Sequence, residues 1–597
     1  MHAPTSRPAT RFAWLLLLVI LAAFANIAGW WWPNRPIQVG QGQVGHAPYA
    51  AQDHAVESMS FAPFRRGQSP LTKTYPTREQ VVEDLRSLQG ITRGIRTYTS
   101  REGLEVVPPE AQKLGLNVMQ GVWLGPERDI NDKEVAAAIE LANRYPDAIK
   151  SLVVGNEVLL RKDLPVDELI AYIRQIKAAV KQPVTYADVW EFWLRFPQLL
   201  QEVDFVTVHF LPYWEDLPIA AAHSMPHIMD VYRTVKAKLP GKPITIGEVG
   251  WPSEGRSRRA AIPSRTEAAG FIADFIQMAK REGLSYNLVE AFDQPWKVKL
   301  EGTVGGAWGV LNELRQPKFE VGGLVSNLPE WPLFAGIAVL ISLILLVLHA
   351  QAVAALPVAG MAAAVAFAQT MAALMAAAIE HGLEYNFSLL HQIEASIAIL
   401  LLGIFALLLL RRLLALLGNR PGMMAPAPKR GAASLGSAFG ALRPALGALS
   451  LRNPRLGEAV YGLLALWVAY HAVMLVAAGR YRDFPIDYFL LPVAGLLLLR
   501  LIAGLFGRNG GEGLARIALA DTFAAPPADA APGRFGWEAV LAFVLLCLPV
   551  LVLRIETLSN REALYWCAIT VAYALPLLGN LALARQRAAA PAAMAAA

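Results

Sequence analysis

Two stretches of this chain run apolar for several residues and then stop at a carboxylate. One is Val153-Val154-Gly155-Asn156-Glu157-Val158, and the other is Ile244-Thr245-Ile246-Gly247-Glu248-Val249-Gly250-Trp251-Pro252-Ser253. A lone glutamate closing a β-rich run is ordinarily a solvated strand end. A pair of them, each set in a longer motif, suits a more specific chemistry. Cleavage of a glycosidic bond needs one carboxyl group protonated, to release the leaving oxygen, and one ionised, to attack or stabilise the anomeric carbon. Glu157 and Glu248 are the expected pair. Tryptophans follow several of the same runs: Trp123, Trp190, Trp193, Trp214, Trp251 and Trp296. Flat rings stack on sugar faces, although most tryptophans pack in cores; Trp251 and Trp296 are the two expected to face sugar. The histidines His46, His54, His209, His223 and His227 lack ligand spacing such as His-Glu-x-x-His, and this part of the chain has no cysteine. Neither a metal nor a cofactor is expected.

The elements that must position these groups are legible between about residues 57 and 324. Short β-rich runs recur at 59–64, 91–97, 116–123, 149–157, 183–189, 203–210, 243–249 and 286–292. Helical patterns lie between most of them. Thr77-Arg78-Glu79-Gln80 and Ser264-Arg265-Thr266-Glu267 read as capping boxes that satisfy free amides at a helix start. Apolar residues fall at helical spacing over 135–145 and 166–180. About eight β/α repeats in about 270 residues is the rhythm of an α/β fold of the (β/α)8 TIM-barrel type, whose C-terminal strand ends form the active face. A doubly wound sheet also alternates, but no Gly-rich phosphate loop follows the first strand. On this count Glu157 ends the fourth strand and Glu248 the seventh, across one barrel mouth from each other.

The segments Val154-Gly155-Asn156-Glu157-Val158 and Glu248-Val249-Gly250-Trp251-Pro252-Ser253 resemble the two signatures of glycoside hydrolase family 17, the β-1,3-glucanases and related glucanosyltransferases. The resemblance covers about 270 of the 597 residues. It implies a (β/α)8 barrel, Glu157 as general acid/base, Glu248 as nucleophile, retention of anomeric configuration, and Asn156 as a ligand for the sugar 2-hydroxyl. The segment Glu290-Ala291-Phe292-Asp293-Gln294-Pro295-Trp296-Lys297 is closer to fungal and bacterial members than to plant ones. One departure stands out. Plant members often read Asn-x-Tyr-Pro-Tyr-Phe at the sixth strand, whereas this chain reads His209-Phe210-Leu211-Pro212-Tyr213-Trp214. Tyr213 or His209 would then replace the tyrosine expected near the nucleophile. Asp188, at the fifth strand end, and Glu290, at the eighth, are further candidates for sugar hydroxyls. For each of these four a structural role is an equal alternative.

Outside this segment the chain is far more apolar. Hydrophobic residues make up 55% of the whole and charged residues 17%, with a mean hydropathy of +0.37. Arg7 and Arg11 precede an apolar run over 12–29 that closes on Trp30, Trp31 and Trp32, which reads as an N-in signal anchor. Cleavage near Ala23-Phe24-Ala25 is the alternative. Further spans are expected near 333–348, 353–379, 393–416, 459–478, 488–506, 537–552 and 563–583. The net charge of +6 does not point to nucleic acid. Eight Lys or Arg and no acidic residue occupy 411–455, between two apolar runs, as in a cytoplasmic loop. With that loop, 508–534 and Arg585/Arg587 fall inside, and the turns at 381–386, 480–483 and 554–562 outside. His471 lies within a span and reads as an interhelical hydrogen-bonding residue. Glu380, His381, Glu384, Glu394, Asp483 and Asp487 gather at the outer face, where solvation accounts for them.

The expected organisation is an anchor at 1–32, a linker at 33–56, the barrel at 57–325, a membrane bundle at 333–584 and a tail at 585–597. Such a chain would sit in a bacterial inner membrane with its barrel in the periplasm. Its expected partners are β-glucan and the lipid bilayer, with a glucan synthase as a candidate. Three functions compete. The first is a β-1,3-glucan-cleaving enzyme that passes the glycosyl unit to water or to another glucan. The second is an accessory of a glucan synthase-exporter; independent synthesis is excluded because 411–455 is too short for a nucleotide-sugar domain. The third is a binding module without activity, against which the two carboxylates speak.

Overall fold

The computed structural model describes residues 8–39, 56–319, 321–384, 388–418, 456–505, 517–519, 522 and 536–595. Contacts divide the chain into two compact units, Pro36–Asn327 and the pair of segments Met1–Arg35 and Leu328–Ala597.

In the first unit eight parallel strands close into a barrel in chain order. They are preceded by a short strand β1 (Ile37–Gln38) and run β2 (Met59–Ser60), β3 (Gly94–Arg96), β4 (Asn117–Val122), β5 (Ile149–Asn156), β6 (Val184–Val189), β7 (Val206–Phe210), β8 (Ile244–Val249) and β9 (Ser285–Leu288). Strands such as Val206-Thr207-Val208-His209-Phe210 are buried throughout, as strands covered on both faces must be. The intervening helices include Arg78–Ser87, Arg128–Arg144, Val166–Ala179, Ala221–Lys238 and Arg265–Glu282. Thr77 and Gln80 form the reciprocal cap expected of them, and the Ser264 hydroxyl accepts from the Glu267 N–H. The last barrel strand is shorter than its apolar run: Val289 and Ala291 still donate to Val249 O and Ser60 O of the barrel, but the segment also takes partners outside it. Glu290 N–H bonds to Trp308 O at 3.0 Å, and Leu311 N–H to Ala291 O at 2.9 Å.

Part of the stretch expected as linker is structured. Ile37 and Gln38 pair antiparallel with Val325 and Leu324 of β10 (Leu324–Val325), and Val39 is buried in the barrel core. Asn327 Oδ1 then accepts the Thr266 N–H at the start of the helix Arg265–Glu282, at 3.0 Å. The rest of that linker, 40–55, lies outside the described residues.

The second unit is helical. Among the described residues seven helices are long and apolar enough to cross a membrane, from Thr10–Asn34 to Arg561–Gln586, and Trp331–Val347 is a shorter apolar helix. The span expected over 353–379 begins later, at Val358. Pro357 explains the delay, since the residue before a proline is pushed out of the helical region. Near the chain start, Asn26 Nδ2 donates to Ala335 O at 3.0 Å and Trp30 stacks on Phe334. His471 Nε2 lies 3.3 Å from Glu394 Oε1, which also accepts the Trp467 indole N–H at 3.1 Å. His381 Nδ1 lies 3.6 Å from Asp487 Oδ2. Glu394 and Asp487 therefore have side-chain partners and are more than solvated residues. The basic loop expected over 411–455 and the loop over 508–534 lie mostly outside the described residues.

Candidate active site

The chain leaves β5 through Asn156 and turns at once. Glu157 takes left-handed backbone angles, φ 53° and ψ 30°, a conformation that costs a non-glycine residue on the order of 1 kcal/mol and persists only where neighbours enforce it. Its own N–H is pinned to Ala187 O of β6 at 2.8 Å. Two residues on, the Leu159 N–H donates to the Tyr186 hydroxyl at 3.0 Å, and that hydroxyl donates to Asp188. Arg161 closes the turn: its guanidinium donates to Asn156 O and, at 3.1 Å, to Leu124 O, and lies 4.4 Å from the Trp123 ring centroid.

Glu248 sits within β8 and is nearly buried. A carboxylate taken out of water must be answered by charge or donors, and β3 with the residues just after it supplies them. Tyr98 donates its hydroxyl proton to Glu248 Oε1 at 2.8 Å, and Arg96 Nη1 lies 3.2 Å from the same oxygen. Arg96 is 1% exposed; the same Nη1 donates to Gly247 O at 2.8 Å, and Nη2 donates to Asn156 Oδ1 at 2.5 Å. One guanidinium thus ties the nucleophile candidate to the residue preceding the other carboxylate. Burial and the adjacent Glu248 charge push the Tyr98 phenol well above its ordinary value, so it remains a proton donor.

His209, at the end of β7, stands between the two. Its Nδ1 is 2.9 Å from Glu157 Oε1 and 3.7 Å from Glu248 Oε2, and its Nε2 is 3.4 Å from Arg96 Nη1. The short contact of Nδ1 to a carboxylate oxygen sets a proton on Nδ1, directed at the carboxylates, while Nε2 faces Arg96. Gly247 makes the room: a Cβ there would lie 2.4 Å from Thr207 Cγ2 and 3.1 Å from His209 Cδ2.

One ligand atom each of Glu157, His209 and Glu248 falls within 4.8 Å of the others. For two carboxyl groups this is the spacing of a retaining glycosidase, about 5 Å, where an inverting enzyme would leave room for a water. The same three atoms could in principle grip a cation. The buried Arg96 charge beside Glu248, and a histidine whose proton faces the carboxylates, suit that donor set to hydrogen bonding instead. Burial pushes the Glu157 carboxyl up, but the His209 hydrogen bond and charge, together with the Arg161 and Arg96 charges, outweigh it, leaving the group below its ordinary value.

Of the residues singled out from the sequence, Glu157, Glu248, Asn156 and His209 converge. Four others are placed differently. Trp251, expected to face sugar, is 1% exposed; it packs on Phe271 and donates its indole N–H to Ile262 O at 3.0 Å. Tyr213, offered as the tyrosine near the nucleophile, is fully buried with its hydroxyl on Arg256 O at 2.7 Å. The phenol beside Glu248 comes from Tyr98. Asp188 is fully buried, and its oxygens take the Tyr186 hydroxyl and the Val189 N–H; burial first, and the Glu157 charge, raise it to about 6. Glu290 is likewise buried and bound through both oxygens to Lys297 Nζ, at 2.9 and 3.1 Å. Burial pushes it up to about 7 despite that partner. Neither carboxyl presents an oxygen at a surface a sugar could reach. Trp296 stays partly exposed, edge-on to Phe64, and Trp123 is 39% exposed. Trp193 is buried with its N–H on Thr207 O.

Sequence reasoning missed Arg96, Tyr98, Arg161 and Lys297. For Arg96 a signal existed: a charged residue inside a barrel strand, in Gly94-Ile95-Arg96, is an anomaly that asks for a buried partner.

Comparison with known proteins agrees with the expected family. Residues 58–309 match the family model of the BtgE/BtgC glycoside hydrolase domain. Similar chains include a putative glucan endo-1,3-beta-glucosidase of Aspergillus niger, 28% identical over 42% of this chain and 41% of its own length. A glucan 1,3-beta-glucosidase of Candida albicans is 27% identical over 40% of this chain and 84% of its own. The chain thus spans about two fifths of the Aspergillus protein. Among solved structures, a glycoside hydrolase family 17 beta-1,3-glucanosyltransferase from Rhizomucor miehei is 27% identical, with a TM-score of 0.40, over 45% of this chain and 96% of its own.

Proposed function

We propose that this protein is a membrane-anchored, retaining β-glucan-active enzyme that cleaves β-1,3-glucan and transfers the released glycosyl unit to a glucan acceptor. The observation that carries the reading is the approach of the Glu157 and Glu248 side chains to within 4.8 Å across one barrel mouth. The named activities of the relatives supply the substrate class. In the first half-reaction a Glu248 carboxylate oxygen attacks the anomeric carbon as the bond to the leaving oxygen breaks, and Glu157 gives that oxygen its proton. In the second, Glu157 takes a proton from the acceptor hydroxyl, whose oxygen displaces Glu248 from the sugar. Two inversions restore the original configuration. Arg96 and Tyr98 hold the Glu248 carboxylate aimed, and Asn156, oriented by Arg96, would meet the 2-hydroxyl.

The apolar helices outside the barrel support a membrane location for this chemistry. Helices of spanning length flank the barrel in the sequence, which favours remodelling of a cell's own periplasmic glucan, by elongation or branching, in a bacterial inner membrane. Water as acceptor would make the protein a hydrolase. Mass spectrometry of products from one defined laminari-oligosaccharide decides between them: products longer than the substrate are expected, and exclusively shorter ones would rule transfer out. A 2-deoxy-2-fluoroglucosyl inactivator should label Glu248, and labelling at any other carboxylate would refute the assignment.

A further inference from the structure

We propose that His209 is a positioning residue for Glu157: its Nδ1–H holds the Glu157 carboxyl group beside Glu248. This rests on the reading of Glu157 as the acid/base. The geometry leaves the histidine little else to do. Its side chain is fully buried, one nitrogen is committed to Arg96, and the other lies nearer Glu157, at 2.9 Å, than Glu248, at 3.7 Å. It faces the catalytic pair without being open to solvent.

The other charged groups around Glu157 act from several elements. Arg96, from β3, and Arg161, from the turn after β5, favour its ionised form. Glu157 in turn raises Asp188, from β6, and Glu301, from the helix Val298–Glu301, and these carboxylates oppose its ionisation reciprocally, while Tyr186, also raised, stays a neutral phenol. Glu248, from β8, adds a like charge across the mouth. Among the influences that pull the Glu157 carboxyl down, the His209 hydrogen bond stands first. Losing that donor therefore raises Glu157. The proton then persists to higher pH, and the basic limb of kcat/KM, set by the free enzyme's acid, moves upward.

The test uses the full-length chain in detergent or nanodiscs, with H209A and H209L as variants lacking the donor and H209N as one that retains a side-chain N–H. Two measurements are made: kcat/KM on laminari-oligosaccharides against pH, and carbodiimide labelling of Glu157 against pH without substrate, read by peptide mass spectrometry. In H209A and H209L the basic limb and the labelling edge should both move to higher pH. Their kcat should fall by about 10²-fold, the order expected from misplacing a catalytic group by about 1 Å, with KM nearly unchanged. H209N should hold both edges near the wild type. An unmoved labelling edge in a folded variant without the donor overturns the proposal. So does a raised KM with kcat and the limb intact, which would make His209 a sugar contact. If the wild type turns over no laminari-oligosaccharide, the glucanase reading fails, and the labelling edge still decides the role of His209.

Discussion

Carboxylates do not share a buried mouth unaided, and the division of labour here can be probed one side chain at a time. Glu157 is supported by a single imidazole N–H, Glu248 by a guanidinium and a phenol. Loss of the proton donor should matter only where the leaving oxygen needs a proton. Glu157→Ala is therefore expected to lose about 10²- to 10⁴-fold in kcat on laminari-oligosaccharides. It should keep most of its rate of glycosyl-enzyme formation on an aryl β-glucoside with an acidic phenol, and added azide should accelerate turnover to a β-glycosyl azide. An α-azide product would contradict retention. Tyr98→Phe removes one hydrogen bond to a charged group, worth about 1.5–3 kcal/mol, or about 10- to 100-fold in kcat/KM. Steady-state kinetics on an otherwise folded variant reads that loss. Glu290 makes a separate, pH-dependent claim. Its folded value is raised, from 4.5 to about 7, so its contribution to stability is complete below about 4.5 and lost as pH rises through about 7. Against Glu290→Gln, wild-type stability should decline across that window in denaturant titrations. A constant difference between the two would show that burial does not govern this group.

At the scale of elements, β7 and β8 carry the site because they approach closely enough to set His209 and Glu248 side by side. Gly247→Ala would force Thr207 and His209 apart. A cost of about 1–3 kcal/mol, together with a fall in kcat larger than any change in KM, is expected from thermal melts and kinetics. The barrel strands themselves were legible, six of their apolar runs falling on the observed strands to within a few residues and the first, 59–64, overrunning β2 by four, because parallel strands buried on both faces leave a compositional mark. The eighth overran. Val289-Glu290-Ala291-Phe292 looks like more strand, and it divides its hydrogen bonds between the barrel and residues 308–311. Glu157, Glu248 and Asn156 stood out for the same reason, each being a polar residue where an apolar strand stops, whereas His209 stood out only as a departure from the family's sixth-strand pattern. Trp251 and Tyr213 were misplaced because whether a loop aromatic faces sugar or core depends on how loops pack, which periodicity does not encode. Tyr98 was invisible, lying beyond a three-residue strand with no motif around it.

On the scale of the whole molecule, the barrel holds its own core and both of its chain ends. Residues 36–327 expressed alone should give a monomeric, cooperatively melting α/β protein by circular dichroism and retain turnover of laminari-oligosaccharides. A fragment that stays unfolded would show that the core depends on the helices. Trimming residues 36–39 from that fragment removes Val39 from the core and the partner of β10, and should lower its melting temperature by several degrees; a 1 kcal/mol loss is worth about 2–4 °C at this size. That small antiparallel ladder has a mechanical consequence too. Pro36 and Ser326 flank the same end of the Ile37–Val325 pair, so tension applied through the two stems would unzip these few bonds one after another, in the weak loading direction. The closed ring of parallel strands would feel force only after they had opened. In an optical-trap experiment the ladder should act as a fuse, giving a short low-force extension that precedes and is separate from the rupture of the barrel.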